Sequence, residues 1–314
     1  MAILRLVFHR ILMAIPLLFI VSALTFVLLS LVPGDAAHVI AGEHATLEQY
    51  QQVRQQLGLD EPLYVQYWKW LSGVFHGDLG ASLFTHESVT SKINQRIPVS
   101  LSLMVLGTVV SGLLGVGLGM LSALRGGAQT KIVDALAMLG LAVPSFWIAL
   151  VLIAVFAVGL LWFPVTGYVP LEVSPGEWLR SLTLPVIALT LATIAIVAKQ
   201  TRDSVLDTLS KDFIRVMQAN GFSRRSVLFR HVLRNSALPV VTVLGLVFIH
   251  MLTAAIFVET VFAMPGVASL IQEAALQHDL PVLQGAVIYV TVFVVIVNLL
   301  VDLAYGLLDP KVRR

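Results

Sequence analysis

The sequence predicts an all-α, polytopic membrane protein with about six transmembrane helices and an extracytoplasmic cap between the first two. Of its 314 residues, 58% are hydrophobic and only 12% are charged, and the apolar residues fall into long uncharged runs. Soluble domains carry about 25% charged residues, whereas a transmembrane helix needs roughly 20 apolar residues in succession. The composition and the length of the runs therefore exclude an ordinary soluble domain.

The spans follow from the apolar runs, taken in order. Residues 11–32 carry no charge, and this run is longer than the apolar region of about 7–15 residues in a cleavable signal peptide. We therefore interpret residues 1–33 as an uncleaved first transmembrane helix. The polar interval 34–96 is predicted to form the cap. The transmembrane core is predicted at 97–306, followed by a tail at 307–314, with spans near 97–124, 135–163, 181–198, 236–258 and 280–301.

Short-range signals indicate how some of these segments begin, bend and pack. Thr46 and Gly58 are predicted to cap and close a short helix within the cap. Pro144 is predicted to kink the third span, because proline removes a helical hydrogen bond. Glu259 is assigned to the polar loop between the fifth and sixth spans. Five glycines in the second span should let helix backbones approach closely: Gly107, Gly112, Gly115, Gly117 and Gly119.

Lysine and arginine are distributed unevenly over the predicted loops. With six spans, fifteen of these bases lie on one side of the membrane and five on the other. Cytoplasmic loops of membrane proteins carry the excess of positive charge. The bias predicts that both termini lie in the cytoplasm, and it assigns the basic segment 203–239 to the same side.

The segment 203–239 is the longest polar interval on that side. Gly221 is placed for a left-handed C-terminal helix cap. Ser223 can cap a second helix, with Phe222 and Val227 spaced for a hydrophobic staple. The segment is thus predicted as a helix, a glycine turn and a second helix. One apolar face of the first helix is predicted from residues that recur at three- and four-residue steps: Val205, Leu206, Leu209, Phe213, Val216 and Met217.

Two interpretations of this segment stay open on the residues alone. Its bases could rest on anionic lipid headgroups, where each contributes about 1 kcal/mol. Alternatively, two amphipathic helices joined at a glycine form a rigid knob that the groove of a partner protein can receive. Lipid binding explains only the charge, whereas docking also explains the helical pattern.

The same segment resembles the cytoplasmic EAA loop of ABC-transporter permeases, in the form found in the peptide/nickel importer family. Residues 217–221 (MQANG) and 231–235 (HVLRN) correspond to two parts of that loop. Met217, Gln218 and Asn220 depart from the Ala, Arg and Lys that are usual there, and Met264 stands where the family prefers Trp. Further motifs that resemble the family cover almost the whole chain: 58–67 (GLDEPLYVQY), 77–80 (GDLG), 259–266 (ETVFAMPG), 279–285 (DLPVLQG), 298–302 (NLLVD) and 308–313 (LDPKVR).

The resemblance implies a type I ABC importer permease fold in the cytoplasmic (inner) membrane. It implies the permease subunit of an ATP-driven importer of di- or oligopeptides that works by alternating access; a nickel complex, a glutathione-like peptide or another solute is also compatible. The implied partners are a second homologous permease subunit, two ATPase subunits and an extracytoplasmic solute-binding protein, with no nucleic acid. The residues expected to couple this chain to the ATPase are Phe213, Met217, Ala219, Gly221, Arg224, Arg225, His231 and Asn235.

The sequence also argues against other chemistry in this chain. It contains no cysteine, which excludes disulfides and thiolate ligands. Residues 86–90 (HESVT) lack the second histidine of a zinc-protease motif, and no G-x-S-x-G motif marks a serine hydrolase. The chain also lacks a G-x-x-x-x-G-K-[ST] motif, so ATP and magnesium are expected on the ATPase subunits. We therefore predict no catalytic residue, no metal site and no cofactor in this chain.

Two further questions stay open. An ATP-independent channel or secondary carrier, whose basic loop only binds lipid, is the alternative class of function. Polar residues on the spans that could line a transport pathway are His250, Thr253 and Asn298. Hydrogen bonds between neighbouring helices are the competing explanation for these three side chains.

Overall fold

The structure is a computed structural model that describes residues 2–31, 36–42, 44–125, 127, 130–131, 134–135, 138, 140 and 142–308. Helices make up most of this part of the chain, and an isolated antiparallel bridge joins Ala81 to Ser88. The predicted all-α class is confirmed. Residues 32–33 of the predicted first helix and residues 309–314 of the predicted tail lie outside the described residues.

The helices follow one another with short connections. The α-helices are α1 Ala2–Ser30, α2 Ala36–Ala41, α3 Leu47–Gln56, α4 Leu63–Phe75, α5 Val89–Arg125, α6 Ser145–Leu152, α7 Pro175–Ser210, α8 Asp212–Ala219, α9 Arg224–Ser226, α10 Leu233–Val261, α11 Val267–Gln277 and α12 Leu280–Leu308. A π-helical segment, Ile153–Gly159, continues α6, and a second, Val227–Val232, joins α9 to α10.

Five helices in the described part of the chain are long and apolar enough to cross a membrane, and each overlaps a predicted span. Several begin or end well beyond the apolar run that identified them, because helical hydrogen bonding continues wherever the backbone groups pair, whether or not the side chains are apolar. The five are Val7–Ser30, Val89–Arg125, Pro175–Ser210, Arg224–Val261 and Leu280–Gly306.

The third predicted span is the exception. Several of its residues between 136 and 141 lie outside the described residues, and its remainder is a shorter apolar helix, Ser145–Gly159. The prediction that Pro144 kinks a continuous helix is wrong, because Pro144 is extended (φ −61°, ψ 139°) and is the N-cap of α6. Proline has no N–H to donate and disfavours a helical residue before it, so a new helix begins here. The count of six spans stays a prediction.

The described residues cluster into two compact units. Unit 1 comprises those within 1–5, 100–264 and 297–314, and unit 2 comprises those within 6–99 and 265–296. α5 and α12 each contribute to both units.

Unit 1 shows the close helix packing that the glycines predicted. A Cβ atom built on Gly107 would lie 2.8 Å from Met251 Sδ, and one on Gly115 would lie 2.6 Å from Val197 Cβ. A Cβ on Gly119 would overlap the carbonyl oxygen of Ala198. The prediction is confirmed at Gly115 and Gly119, where backbone atoms of α7 lie close to α5, whereas at Gly107 the close atoms belong to the side chains of Met251 and Thr190. Gly112 would make ordinary contacts with Leu244, and Gly117 faces open space.

The assignment of Glu259 to a loop is wrong. α10 continues to Val261, and the side chain of Glu259 is fully buried in unit 1. The Ser100 hydroxyl, on α5, donates a hydrogen bond to Glu259 Oε1 at 2.6 Å. A buried carboxyl group is tolerated when donors satisfy it, and this partner lies far away in the sequence.

Unit 2 confirms the predicted signals of the short helix α3. Gln49 N–H donates to Thr46 Oγ1 at 3.3 Å, and Thr46 N–H donates to Gln49 Oε1 at 2.9 Å, which makes a capping box. Gly58 follows the end of α3 with φ +67°. On α4, Tyr67 is buried and its hydroxyl hydrogen-bonds the Ser22 hydroxyl at 2.9 Å. α4 therefore packs against α1 within this unit.

A buried carboxylate joins the two chain segments of unit 2. Asp279 accepts hydrogen bonds from Ser82 Oγ at 2.5 Å and from Leu83 N–H at 3.3 Å. It thereby fixes the loop before α5 against the start of α12. The apolar core beside it consists of Leu79, Val89, Ile93, Val267, Leu270, Ala274, Val282, Leu283 and Ala286.

Candidate functional site

The segment 203–239 begins inside a long helix rather than with a helix of its own. α7 continues to Ser210, and the chain then breaks at Lys211 (φ −71°, ψ 143°), which is the N-cap of α8. The prediction of one continuous apolar face from Val205 to Met217 is therefore wrong. The break changes the direction of the helix, so residues after Lys211 no longer keep the helical register of those before it.

The two helices still share one buried side. Val205 and Ile214 are buried together with Val227 and Val232 from the following helix. These four residues form an apolar cluster in unit 1. The cluster is covered by further, partly buried side chains from α5 and from the segment itself: Met120, Ala123, Leu209, Met217 and Leu228. Through this apolar cluster the segment packs against α5.

The segment also exposes large apolar side chains. Phe213 is 40% exposed, Val216 58%, Phe222 50% and Phe229 61%. Unlike the apolar residues of the spans, these four lie among charged residues in a polar interval of the sequence. Burial of apolar area contributes about 25 cal/mol per Å². A protein partner that covers these side chains would therefore gain substantial binding free energy.

Gly221 forms the turn between the two helices, as predicted. Its φ is +76°, its N–H donates to the Gln218 carbonyl at 3.1 Å, and the Phe222 N–H donates to the Met217 carbonyl at 3.2 Å. These two bonds make a Schellman motif at the end of α8. A Cβ at Gly221 would meet nothing within 4 Å. The glycine is therefore required for its left-handed backbone conformation and not for lack of space.

The second helix is capped as predicted but is not separate from the next span. Ser226 N–H donates to Ser223 Oγ at 3.3 Å, and α9 then passes through the π-helical turn into α10. The ring of Phe222 lies edge-on to that of His231, with the centroids 6.5 Å apart. The staple between Phe222 and Val227 stays a prediction.

The eight predicted coupling residues lie on this one element. Phe213, Ala219, Gly221, Arg224, Arg225 and Asn235 are exposed, whereas Met217 and His231 are partly buried. Asn235 Nδ2 donates to the His231 carbonyl at 2.7 Å, one helical turn earlier in the chain. The prediction missed Phe229 as an exposed apolar residue, although its position among the four arginines of the second helix could have indicated it.

The basic residues of the second helix are available for a partner. Lys211 pairs with Asp207 at 3.1 Å and Arg215 with Asp212 at 3.3 Å. Among the residues that the structure describes, none of the ion pairs found involves Arg224, Arg225 or Arg230. These guanidinium groups can therefore face an acidic protein surface or lipid phosphates.

The predicted pathway residues are less closely grouped. His250 and Thr253 are exposed at i and i+3 on α10, so they share one side of that helix. Asn298 is partly buried on α12. Whether they line a pathway stays a prediction.

The features together define a class of protein: a multi-pass helical membrane protein with a glycine turn between two of its long helices and exposed apolar side chains beside that turn. Residues 115–314 match the family model described as "Binding-protein-dependent transport system inner membrane component". Residues 3–104 match the companion model "Binding-prot-dependent transport system membrane comp, N-term". The chain belongs to this family, so it is a permease subunit of an ABC transporter and not itself the catalytic subunit.

Relatives match over nearly the whole chain. A protein of Brucella abortus (strain 2308) is 41% identical over 309 residues. The oligopeptide transport system permease protein AppB of Bacillus subtilis (strain 168) is 35% identical over 313 residues. The glutathione transport system permease protein GsiC of Escherichia coli O6:H1 is 36% identical over 308 residues. Each match covers 98% of this chain and 98% of the relative.

Proposed function

We propose that this permease imports peptides, or a closely related small solute, driven by two ATPase subunits that dock on the segment 203–239. The observation that carries the proposal is the exposed apolar surface of Phe213, Val216 and Phe222 at the Gly221 turn. That surface lies on an element whose other side is buried, so a partner can push on it without unfolding it.

The helices on both sides of the turn support a mechanical role. α7 is a single helix of 36 residues that ends next to α8. On the other side, the helical stretch Arg224–Val261 runs without interruption from the capped start of α9 through α10. Closure of the ATPase pair on bound ATP would move the turn, and the two flanking helices would carry that motion into the spans. This arrangement suits alternating access.

The partners and the sidedness form part of the same proposal. The excess of bases on one side of the predicted spans supports a cytoplasmic location for both termini and for the segment 203–239. A solute-binding protein would then deliver the solute to the opposite side, and a second, similar permease would complete the pathway. The names of the oligopeptide and glutathione permeases among the relatives support peptides as the solute class.

Reconstitution of the system in liposomes tests the proposed function. The chain should take up peptide only together with its second permease, the ATPase subunits and the binding protein, and only with ATP. Uptake by this chain alone without ATP would instead identify a channel or secondary carrier. An inactive ATPase, mutated in its own nucleotide site, is the matched control for the complete system.

Single cysteines provide a direct test of sidedness, because the natural chain contains none. Gln56 and Arg225 are both exposed, one on α3 and the other on α9. In intact cells, a membrane-impermeant maleimide should label Gln56→Cys and spare Arg225→Cys. Permeabilised cells should show labelling of both variants. The opposite pattern in intact cells would contradict the proposed orientation.

A further inference from the structure

The helix α4 of unit 2 exposes three large aromatic side chains. Tyr64 is 68% exposed, Trp68 57% and Phe75 80%. They follow one another at steps of four and seven residues, so they share one side of the helix. Lys69 lies on a different side, where its Nζ contacts Glu61 at 2.5 Å. α4 is therefore amphipathic, although it belongs to the polar interval that was predicted to form the cap.

α4 is too short to cross a membrane by itself. Its 13 residues make a helix about 20 Å long, whereas the hydrocarbon core of a bilayer is about 30 Å thick. Acidic residues also stand near both of its ends, Glu61 before it and Asp78 after it. α4 therefore lies either at a membrane surface or in water, and its contacts with α1 distinguish between the two.

α4 packs against a part of α1 that lies deep within a candidate span. The Tyr67 hydroxyl hydrogen-bonds the Ser22 hydroxyl at 2.9 Å, and the Tyr67 ring centroid lies 5.6 Å from that of Phe26. The ring centroids of Trp68 and Phe19 lie 6.4 Å apart. All three of these α1 residues belong to the candidate span of that helix. The aromatic side of α4 is thus level with residues of a transmembrane helix.

These contacts fix the depth of Trp68 relative to α1. Phe19 lies near the middle of the candidate span, which ends at Ser30. Eleven residues separate the two, about 16 Å along the helix axis at about 1.5 Å per residue. A hydrocarbon core about 30 Å thick, centred on this span, therefore contains Phe19 and the Trp68 ring beside it. More than half of Trp68 is exposed at this depth, where water is absent.

Lipid is the environment that suits this side of α4. Phe19 is itself 45% exposed, and only 11% of the most apolar stretch of α1 is buried. The exposed side of α4 therefore continues the exposed apolar surface of a membrane span. Trp and Tyr are enriched where a membrane meets water, because an apolar ring carries a single polar atom. A soluble partner protein would not reach side chains at this depth.

We propose that α4 is embedded in the lipid bilayer, with Tyr64, Trp68 and Phe75 among the acyl chains and Lys69 extended toward the headgroups. The interval 34–96 would then be anchored to the bilayer beside α1 and would not lie wholly outside the membrane. The inference depends only on α1 crossing the membrane. It does not depend on the transported solute, on the sidedness or on the docking of ATPase subunits, so it can fail while the proposed function holds.

Quenching by brominated lipids tests this placement in the complete reconstituted transporter. Trp68→Cys and Lys69→Cys each carry a single bimane label, attached before assembly because the natural chain contains no cysteine. Bromine on the acyl chains should quench the label of Trp68→Cys at least twofold more strongly than that of Lys69→Cys. Iodide in the water should quench the two labels in the opposite order. Equal quenching by lipid, or stronger quenching of Trp68→Cys by iodide, would overturn the proposal.

The same label distinguishes lipid from the second permease. Quenching of Trp68→Cys by brominated lipid should be equal in the isolated chain and in the complete transporter. If assembly with the second permease removed this quenching, a protein partner would cover the aromatic side of α4, and the proposal would be wrong.

Substitution of Trp68 gives a readout that needs no label. Trp68→Leu keeps an apolar side chain and should be as abundant in the membrane as the unmodified chain. Trp68→Asp places a carboxylate among acyl chains and should lower that abundance several-fold. Gln51→Asp, at an exposed position on α3, is the matched control and should leave abundance unchanged. Equal abundance of Trp68→Asp and Trp68→Leu would show that this side faces water.

Discussion

Gly221→Val should abolish ATP-driven uptake and association with the ATPase subunits while the protein remains in the membrane. Gly221 has φ +76°, a conformation that costs an ordinary residue about 1–2 kcal/mol and a β-branched residue more. Valine would therefore break the turn and the two hydrogen bonds that end α8, so Phe213 and Phe222 would no longer form one surface. Uptake by the complete system and copurification of the ATPase subunits measure the effect.

Three comparisons separate the turn from other effects of substitution. Gly221→Asn should retain most of the uptake, because asparagine tolerates the left-handed conformation better than other side chains. Gly221→Trp should lose association for a second reason, since its side chain extends into open space where the partner would dock. Gly58→Val imposes the same backbone cost at φ +67° in unit 2 and should keep ATPase association. Normal uptake by Gly221→Val would refute the coupling role of the turn.

Gly119→Leu should prevent stable folding of unit 1. A Cβ at this position overlaps the carbonyl oxygen of Ala198 and lies 2.7 Å from Thr201 Cβ, so α5 and α7 would have to separate. Overpacking usually costs about 1–3 kcal/mol, and backbone atoms cannot rotate away as a side chain can. We expect Gly119→Ala to lower the free energy of unfolding by that amount and Gly119→Leu to lower it further. Protein abundance in the membrane and the melting temperature in detergent report the change.

Gly117 provides the control on the same helix. A Cβ there meets nothing within 4 Å, so Gly117→Ala should leave stability unchanged or raise it by up to about 1 kcal/mol through helix propensity. Gly117→Leu should also fold. If both positions tolerated leucine equally, the close approach of α5 and α7 would not be a determinant of stability.

Features encoded within a few residues were predicted from the sequence. Thr46 and Gln49 form the capping box, Ser223 caps α9, and Gly221 takes the left-handed conformation, because each depends on neighbours at most a few positions away. The spans were also found, since the requirement for about 20 apolar residues acts on each segment separately. The resemblance to the permease family rested on motifs of the same short kind.

Features that depend on distant partners were not predicted. Glu259 was assigned to a loop because a carboxylate at the end of an apolar run usually marks the surface, and its buried partner Ser100 is 159 positions away.

The sequence by itself thus determined the all-α membrane class, most of the spans, the glycine turn and the family. The tertiary structure decided which apolar residues of the segment 203–239 are available to a partner. The break at Lys211 rotates α8 so that Ile214 enters the core while Phe213 and Val216 stay exposed. Periodicity alone assigned Phe213, Val216 and Val205 to one face, because it assumes an unbroken helix. Only the packing of this segment against α5 and the second helix shows which of its sides is buried.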